Sequence, residues 1–326
     1  MIVHEPQTNE VVLADSVQLD ALGRLRISES YTLFDSQQEY GLDTLRLWDA
    51  TANGTLSIAT GASNGSVVNG ANAVGPRDAN TRMTPITVST TSGHYSVLQT
   101  RQYIRYIPGK SHLVLLTGIF SPGTVTNTDA RSGYFDSANG IFLKVTNGEN
   151  SFVRRTSTSG SVVDNAVTQS AWNIDKFDGT GVSGITIDLT KTQILFIQAQ
   201  WLGVGRVIVG FGVAGVLYPA HAFVHANVLT VPYTQAFNLP IRMELRNTGN
   251  SAGATIQFIC CSAQSEGGLQ IRGWSNAAGI TTSIGVTTRR PILSIHPKAT
   301  YNSITNRAQM RELEYTVRAT TNDALL

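Results

Sequence analysis

Apolar and polar positions alternate along much of this chain with a period of two. Ile241-Arg242-Met243-Glu244-Leu245-Arg246 switches at every residue, the pattern of a half-buried strand with one face on a core. Leu313-Glu314-Tyr315-Thr316-Val317-Arg318 repeats it. Leu195, Ile197, Ala199 and Trp201 alternate with Phe196, Gln198 and Gln200, and Ile185, Ile187 and Leu189 alternate with Thr186, Asp188 and Thr190. Arg101-Gln102-Tyr103-Ile104-Arg105-Tyr106 reads as a strand with one polar face. No long window shows the 3.6-residue period of an amphipathic helix.

Turn signals fall between these runs. Asn-Gly pairs begin at Asn53, Asn64, Asn69, Asn139 and Asn147, and such pairs favour the left-handed conformations of tight hairpin turns. Gly133 to Leu143 reads as strand, turn, strand. Many short strands rich in Thr, Val and Ile predict an all-β chain, an antiparallel β-sandwich of jelly-roll-like kind. Three regions differ in texture. Residues 1–45 lack a continuous pattern and read as an extended N-terminal arm with one short strand, Gly23 to Ser28. Residues 46–270 form the β body. Residues 271–326 form a C-terminal extension whose final strand packs on the body or on a neighbouring subunit.

Composition narrows the classes of function. Only 14% of the 326 residues are charged, against roughly 25% in an ordinary soluble domain. Small neutral residues take their place: 37 Thr, 27 Ser, 20 Asn and 30 Gly. A hydrophobic fraction of 41% argues against disorder. A net charge of +2 and a pI near 8.6 leave no electrostatic footprint for nucleic acid. The longest apolar stretch, Val207 to Tyr218, is too short and too Gly-rich to cross a bilayer as a helix, so no membrane insertion is expected. Met1-Ile2-Val3-His4-Glu5-Pro6 lacks the basic and apolar segments of a secretory signal. Cys260 and Cys261 are adjacent and would point to opposite faces of a strand, which argues against a disulfide and for a reducing cytosol.

Candidate chemistry is sparse. Gly210-Phe211-Gly212-Val213-Ala214-Gly215 matches the dinucleotide fingerprint, but Val216-Leu217-Tyr218-Pro219 reads as a strand where the fingerprint needs a helix. A hairpin turning at Ala214-Gly215 is the simpler reading. His221 and His225 would lie on one strand face, too far apart for one metal ion. Asp175, Asp178 and Asp188 invite a calcium reading that their spacing does not match. No Gly-x-Ser-x-Gly elbow is present, and nothing nominates a pair of glycosidase acids. No catalytic residue, cofactor or metal is expected. Arginine outnumbers lysine 19 to 5, with pairs at Arg154-Arg155 and Arg289-Arg290, which suits interfaces because guanidinium tolerates burial.

Several long stretches carry a resemblance. They are Asp20-Ala21-Leu22-Gly23-Arg24-Leu25-Arg26-Ile27-Ser28 with Thr32-Leu33-Phe34-Asp35-Ser36, then Ser96 to Tyr103, then Gly133-Tyr134-Phe135-Asp136 with Asn139-Gly140-Ile141-Phe142. Trp172 to Lys176 leads through Asp178-Gly179-Thr180-Gly181 to Asp188–Gln193 and Trp201–Val207. Asn238-Leu239-Pro240-Ile241-Arg242 and Arg290 to Ile295 complete the set. In these the chain resembles a family of tailed-bacteriophage virion structural proteins, from about residue 20 onward. The resemblance implies a non-enzymatic particle component assembled in bacterial cytoplasm, foremost a tail fibre, baseplate appendage or adaptor. A capsid decoration or head-fibre protein is the alternative, and a polysaccharide-degrading tailspike a more distant one. The expected partners are other virion proteins, sister subunits in a homo-oligomer (a trimer first), and a host-surface glycan or protein. Arg24, Arg26, Phe34 and Asp35 are the candidate particle-docking contacts of the arm.

Overall fold

The structure, a computed structural model, describes residues 30–37, 74–75, 77–249, 252–266, 298 and 300, together with the backbone of short strands elsewhere. The chain divides into two compact units, Met1–Leu269 and Gln270–Leu326. In the first unit, β1 (Val17–Leu19) pairs with β2 (Leu25–Ile27). There follow β3 (Ser30–Gln37), β4 (Arg46–Thr51), β5 (Val67–Asn69), β6 (Asn72–Val74), β7 (Thr84–Val88), β8 (Tyr95–Thr100) and β9 (Ser111–Ile119). The hairpin strands are β10 (Thr128–Phe135), β11 (Gly140–Thr146), β12 (Glu149–Thr156) and β13 (Val163–Thr168). Then come β14 (Gln193–Gln200), β15 (Val207–Val213), β16 (Val216–Phe223), β17 (Ile241–Asn247) and β18 (Ala254–Glu266). In the second unit, β19 (Thr300–Tyr301) pairs with β20 (Ile304–Thr305). Among the described residues the only helical turn is the short 3-10 segment Gln169–Ala171.

Two antiparallel sheets pack as a jelly-roll-like β-sandwich. One has the order β13-β12-β11-β10-β17-β8-β4, the other β16-β15-β14-β9-β18-β7-β6-β5 with β3 also on β18. From β7 to β10 the chain changes sheet at every step, and β17 and β18 later insert between those earlier strands. The burial of β9 alternates residue by residue, so Val114 and Leu116 face the core. Tyr134, Phe152, Leu195, Ile197, Phe211, Met243 and Leu245 meet them between the sheets.

The hairpins follow their turn residues. Asn147 and Gly148 both have positive φ (53° and 84°) between β11 and β12, as do Ala214 and Gly215 (51° and 83°) between β15 and β16. These are the paired left-handed conformations that a two-residue hairpin turn needs. The glycine-rich fingerprint is therefore a hairpin. Between β10 and β11 the Asp136 carboxylate accepts the N–H groups of Ala138 and Asn139, both at 2.8 Å.

Four expectations need correction. Residues 30–37, assigned to the arm, form β3 and pair with Cys260–Glu266 of β18. On that edge β7 pairs only with Ala254–Phe258, so the rest of β18 is free to take β3. Arg101–Tyr106 is not a strand. The ladder of β8 ends at Thr100, whose Oγ1 donates to the Gln102 carbonyl at 2.8 Å, and beyond it only Ile104 bridges to Leu239. Ile185 to Leu189 keeps its apolar side inward but forms no ladder. Its backbone bonds to loops, with Ile187 N–H donating to Phe177 O and Phe120 N–H to Leu189 O. Finally, β17 is buried on both faces rather than half-buried. Leu313–Arg318 lies outside the described residues.

Candidate functional site

The second face of β17 carries the most elaborate chemistry among the described residues. Ile241, Met243 and Leu245 point to the core, so Arg242, Glu244 and Arg246 point the other way. The antiparallel register sets Glu244 opposite Arg131 of β10, Arg246 opposite Asp129, and Arg242 opposite Gln99 of β8. Glu244 is fully buried. Its carboxylate accepts Arg242 Nε at 3.0 Å and Nη2 at 2.5 Å, and also accepts Arg246 Nε, with Arg131 Nη1 at 3.8 Å. Arg131 holds Asp129 through Nε at 3.1 Å and Nη2 at 2.5 Å. Arg155 of β12 forks onto Asp164 of β13 at 2.7 and 2.8 Å.

An apolar island sits inside this lattice. Phe135, Phe142 and Val153 are buried together, apart from the main core. The guanidinium of Arg155 lies 5.0 Å from the Phe142 centroid, and that of Arg242 lies 5.6 Å from the Phe135 centroid, distances at which cation–π attraction operates. Gly133 stands opposite Phe142, and a Cβ there would meet Phe142 Cβ at 2.9 Å. The absence of a side chain at Gly133 lets the β11 backbone approach β10 this closely.

The electrostatics favour a permanent ion network. Burial raises the Glu244 pKa, but Arg242, Arg246 and Arg131 outweigh it and hold the group down at about 2. Glu244 is therefore ionised throughout the neutral range and has no proton to lend. Burial of this kind suits a scaffold: breaking such a pair is costly, although forming it yields little net stability.

A second cluster runs between the sheets. Tyr106, His112, Tyr134, Trp201, Tyr233 and Phe237 touch edge to face, tilted or stacked, with centroids between 5.3 and 6.4 Å. Burial pushes the His112 imidazole down to about 4. The His225 ring stacks on Tyr233 at 4.0 Å, and its Nδ1 lies 2.6 Å from the Gly205 carbonyl. That contact places the proton on Nδ1. His221 lies in β16 and His225 two residues past its end, with ring centroids 4.6 and 6.5 Å from that of Phe223.

The acids of the 175–190 region serve their own turns. Asp175 accepts Phe177 N–H at 2.8 Å and Ser183 N–H at 2.7 Å. Asp178 accepts from Thr180, and Asp188 from Thr190, through N–H and Oγ1 of each. A Cβ at Gly181 would overlap the Asp175 carboxylate. Among the described residues no three His, Cys, Asp or Glu side chains converge on one point. Asp175→Ala is expected to lower stability by about 1–3 kcal/mol by stranding two backbone donors. Thermal melting would check the loss, and faster proteolysis within 176–183 would locate it.

The docking candidates separate. Phe34 is 5% exposed and packs in the core. Its assignment as a docking contact is corrected, because burying the ring is what ties β3 into the sandwich. Asp35 is exposed on the opposite side of β3. Arg26 lies in β2 opposite Gln18, and Arg24 lies outside the described residues, as do Arg289 and Arg290. The arginine lattice was missed in the sequence, although Arg-x-Glu-x-Arg and Asp-x-Arg on neighbouring strands were its signal. Exposed aliphatic side chains gather on two loops, Leu202 and Val204 on one, Val224, Val228 and Val231 on the other. Tyr233 N–H donates to Gly203 O and ties these loops together.

No protein-family model matches the chain, and no curated protein matches it. Among solved structures it is similar to a protein of unknown function from Shewanella oneidensis, with TM-score 0.41, 10% identity, and coverage of 72% of this chain and 93% of that one. It is similar to a β-1,3-glucanase from Mycobacterium marinum, with TM-score 0.43, 10% identity and coverage of 72% and 98%. It is also similar to a glycosyl hydrolase family protein from Mycobacterium fortuitum, with TM-score 0.44, 12% identity and coverage of 72% and 99%. Likeness at this level carries no activity over to this chain.

Proposed function

We propose that this chain is a non-enzymatic structural protein of a tailed-bacteriophage virion, placed in the tail as a fibre, baseplate appendage or adaptor. The observation that supports it most is the state of the buried acids. Asp129, Asp136, Asp175 and Glu244 are the four buried carboxylates of the described body, and each is bonded to a guanidinium or to backbone N–H groups. A general acid for sugar hydrolysis needs a carboxyl with a raised pKa facing a cleft. Glu244, the most buried, is driven the other way.

The stretches in which the chain resembles the virion family support the same reading, as does the neutral composition. Low charge reduces the desolvation cost of contact with sister subunits. The exposed aliphatic loops fit a homo-oligomer, for which a trimer is the first expectation. Arg24, Arg26 and Asp35 remain the docking contacts to other virion proteins, with loops of the body open to a host-surface glycan or protein.

Quantitative mass spectrometry of purified virions against the major capsid protein tests the placement. A copy number in the tens supports the tail. A count in the hundreds moves the protein to the head surface as a decoration or head-fibre protein. Release of sugar from host envelope by the purified protein would overturn the non-enzymatic reading.

A further inference from the structure

The outward face of the nine-stranded sheet ends in a polar trough. It is lined by Ser111 of β9, Gln198 and Gln200 of β14, Arg206 just before β15, and Ile208 of β15. Its volume is about 210 Å³, below the roughly 300–1,000 Å³ usual for sites that take drug-sized ligands. Glu266 of β18 does not line it but is bonded to two residues that do. The Glu266 carboxylate accepts Ser111 Oγ at 2.5 Å and Gln198 Nε2 at 2.9 and 3.0 Å.

These bonds orient the site. With Nε2 of Gln198 turned to Glu266, its Oε1 remains an acceptor. Among the described residues the Gln200 amide and the Arg206 guanidinium form no hydrogen bond or ion pair, so their donors and the Gln200 acceptor are available. The trough thus offers acceptors and donors side by side, with the Glu266 and Arg206 charges balancing. The Ile208 side chain adds an apolar surface. That set suits a neutral ligand whose neighbouring groups both donate and accept and whose ring carries a C–H face. An anion would meet the Glu266 charge, and a purely apolar ligand would strand the amides.

We propose that this trough binds a single neutral sugar ring, as a free monosaccharide or as one residue of a larger glycan. The site stands whether or not the protein belongs to a virion.

The full chain would be titrated by calorimetry and saturation-transfer NMR with glucose, galactose, mannose, rhamnose and N-acetylglucosamine, with sodium sulfate as the anionic comparison. Short oligosaccharides of whichever sugar binds would separate the two sources. Tighter binding of the oligomer assigns the site to a glycan, and equal binding to the free sugar. Saturable binding of at least one sugar is expected, weakened about tenfold or more by Gln200→Ala and by Arg206→Ala. Both residues lack internal partners, so unchanged melting temperatures would show that the variants fold. Glu266→Ala should also weaken binding, by releasing Gln198 from its only side-chain acceptor among the described residues. No binding of any sugar, binding untouched by the three variants, or preference for sulfate would each overturn the proposal.

Discussion

Glu244→Gln is expected to lower the unfolding free energy by about 3–5 kcal/mol, the range for removing one member of a buried ion pair. The amide matches the carboxylate in size but not in charge. It also presents an NH2 group toward donors that already lack an acceptor. Arg246 can swing outward, since its side chain is 39% exposed. Arg242 is 6% exposed, so its charge stays in place and loses its counter-ion, whereas Arg131, 12% exposed, keeps Asp129. A urea midpoint shift with unchanged slope would measure the loss. A shift of less than about 1 kcal/mol would mean that solvent reaches the lattice and that Glu244 is not its keystone. Replacing Arg242 and Glu244 together with apolar residues should recover part of the loss, because an intact buried pair contributes little net stability.

The second large effect is acid lability beginning well above the carboxylate range. His112 is fully buried among Tyr106, Tyr134 and Phe237, and its pKa falls from 6.5 to about 4. Burial also lowers His221 and His225. Between pH 6.5 and 4 the unfolded chain binds a proton at His112 that the folded chain refuses. The contribution of His112 is therefore complete above pH 6.5 and is lost as pH falls toward 4, by about 3 kcal/mol in all. Glu244 acts over a lower window. Its folded pKa of about 2 against an ordinary 4.5 gives stability that is present above pH 4.5 and disappears as pH falls to 2. Melting temperature against pH should thus decline in two stages. His112→Phe fits the aromatic surroundings and should make the upper stage shallower, leaving the part that His221 and His225 contribute, while leaving the lower. An unchanged upper slope in that variant would remove His112 as its source.

These two groups also mark where reading residues in order stops being enough. Period-two alternation is a local property, because successive side chains of an extended backbone point to opposite faces. Ile241–Arg246 and Leu195–Ala199 were recognisable as strands for that reason, and Asn147-Gly148 and Ala214-Gly215 as hairpin turns because few residues accept positive φ there. The same local rule misled at Arg101–Tyr106 and Ile185–Leu189. Alternation says which way side chains point, and a ladder needs a partner strand.

The Glu244 site needed partners distant in the chain. A charged face normally means water, but here Arg131 and Asp129 arrive from β10 and Gln99 from β8 to saturate it. Phe34 left the expected arm because β18 has a free edge. The trough likewise joins Ser111 to Glu266, 155 positions apart. The residues alone thus determined fold class, most of the strands of the body, hairpin turns and neutral surface chemistry, all of which follow from backbone geometry and composition. Tertiary packing assigned which charges are buried, which imidazoles are neutral and where a ligand fits. Those properties depend on desolvation and on partners that the register of distant strands brings together.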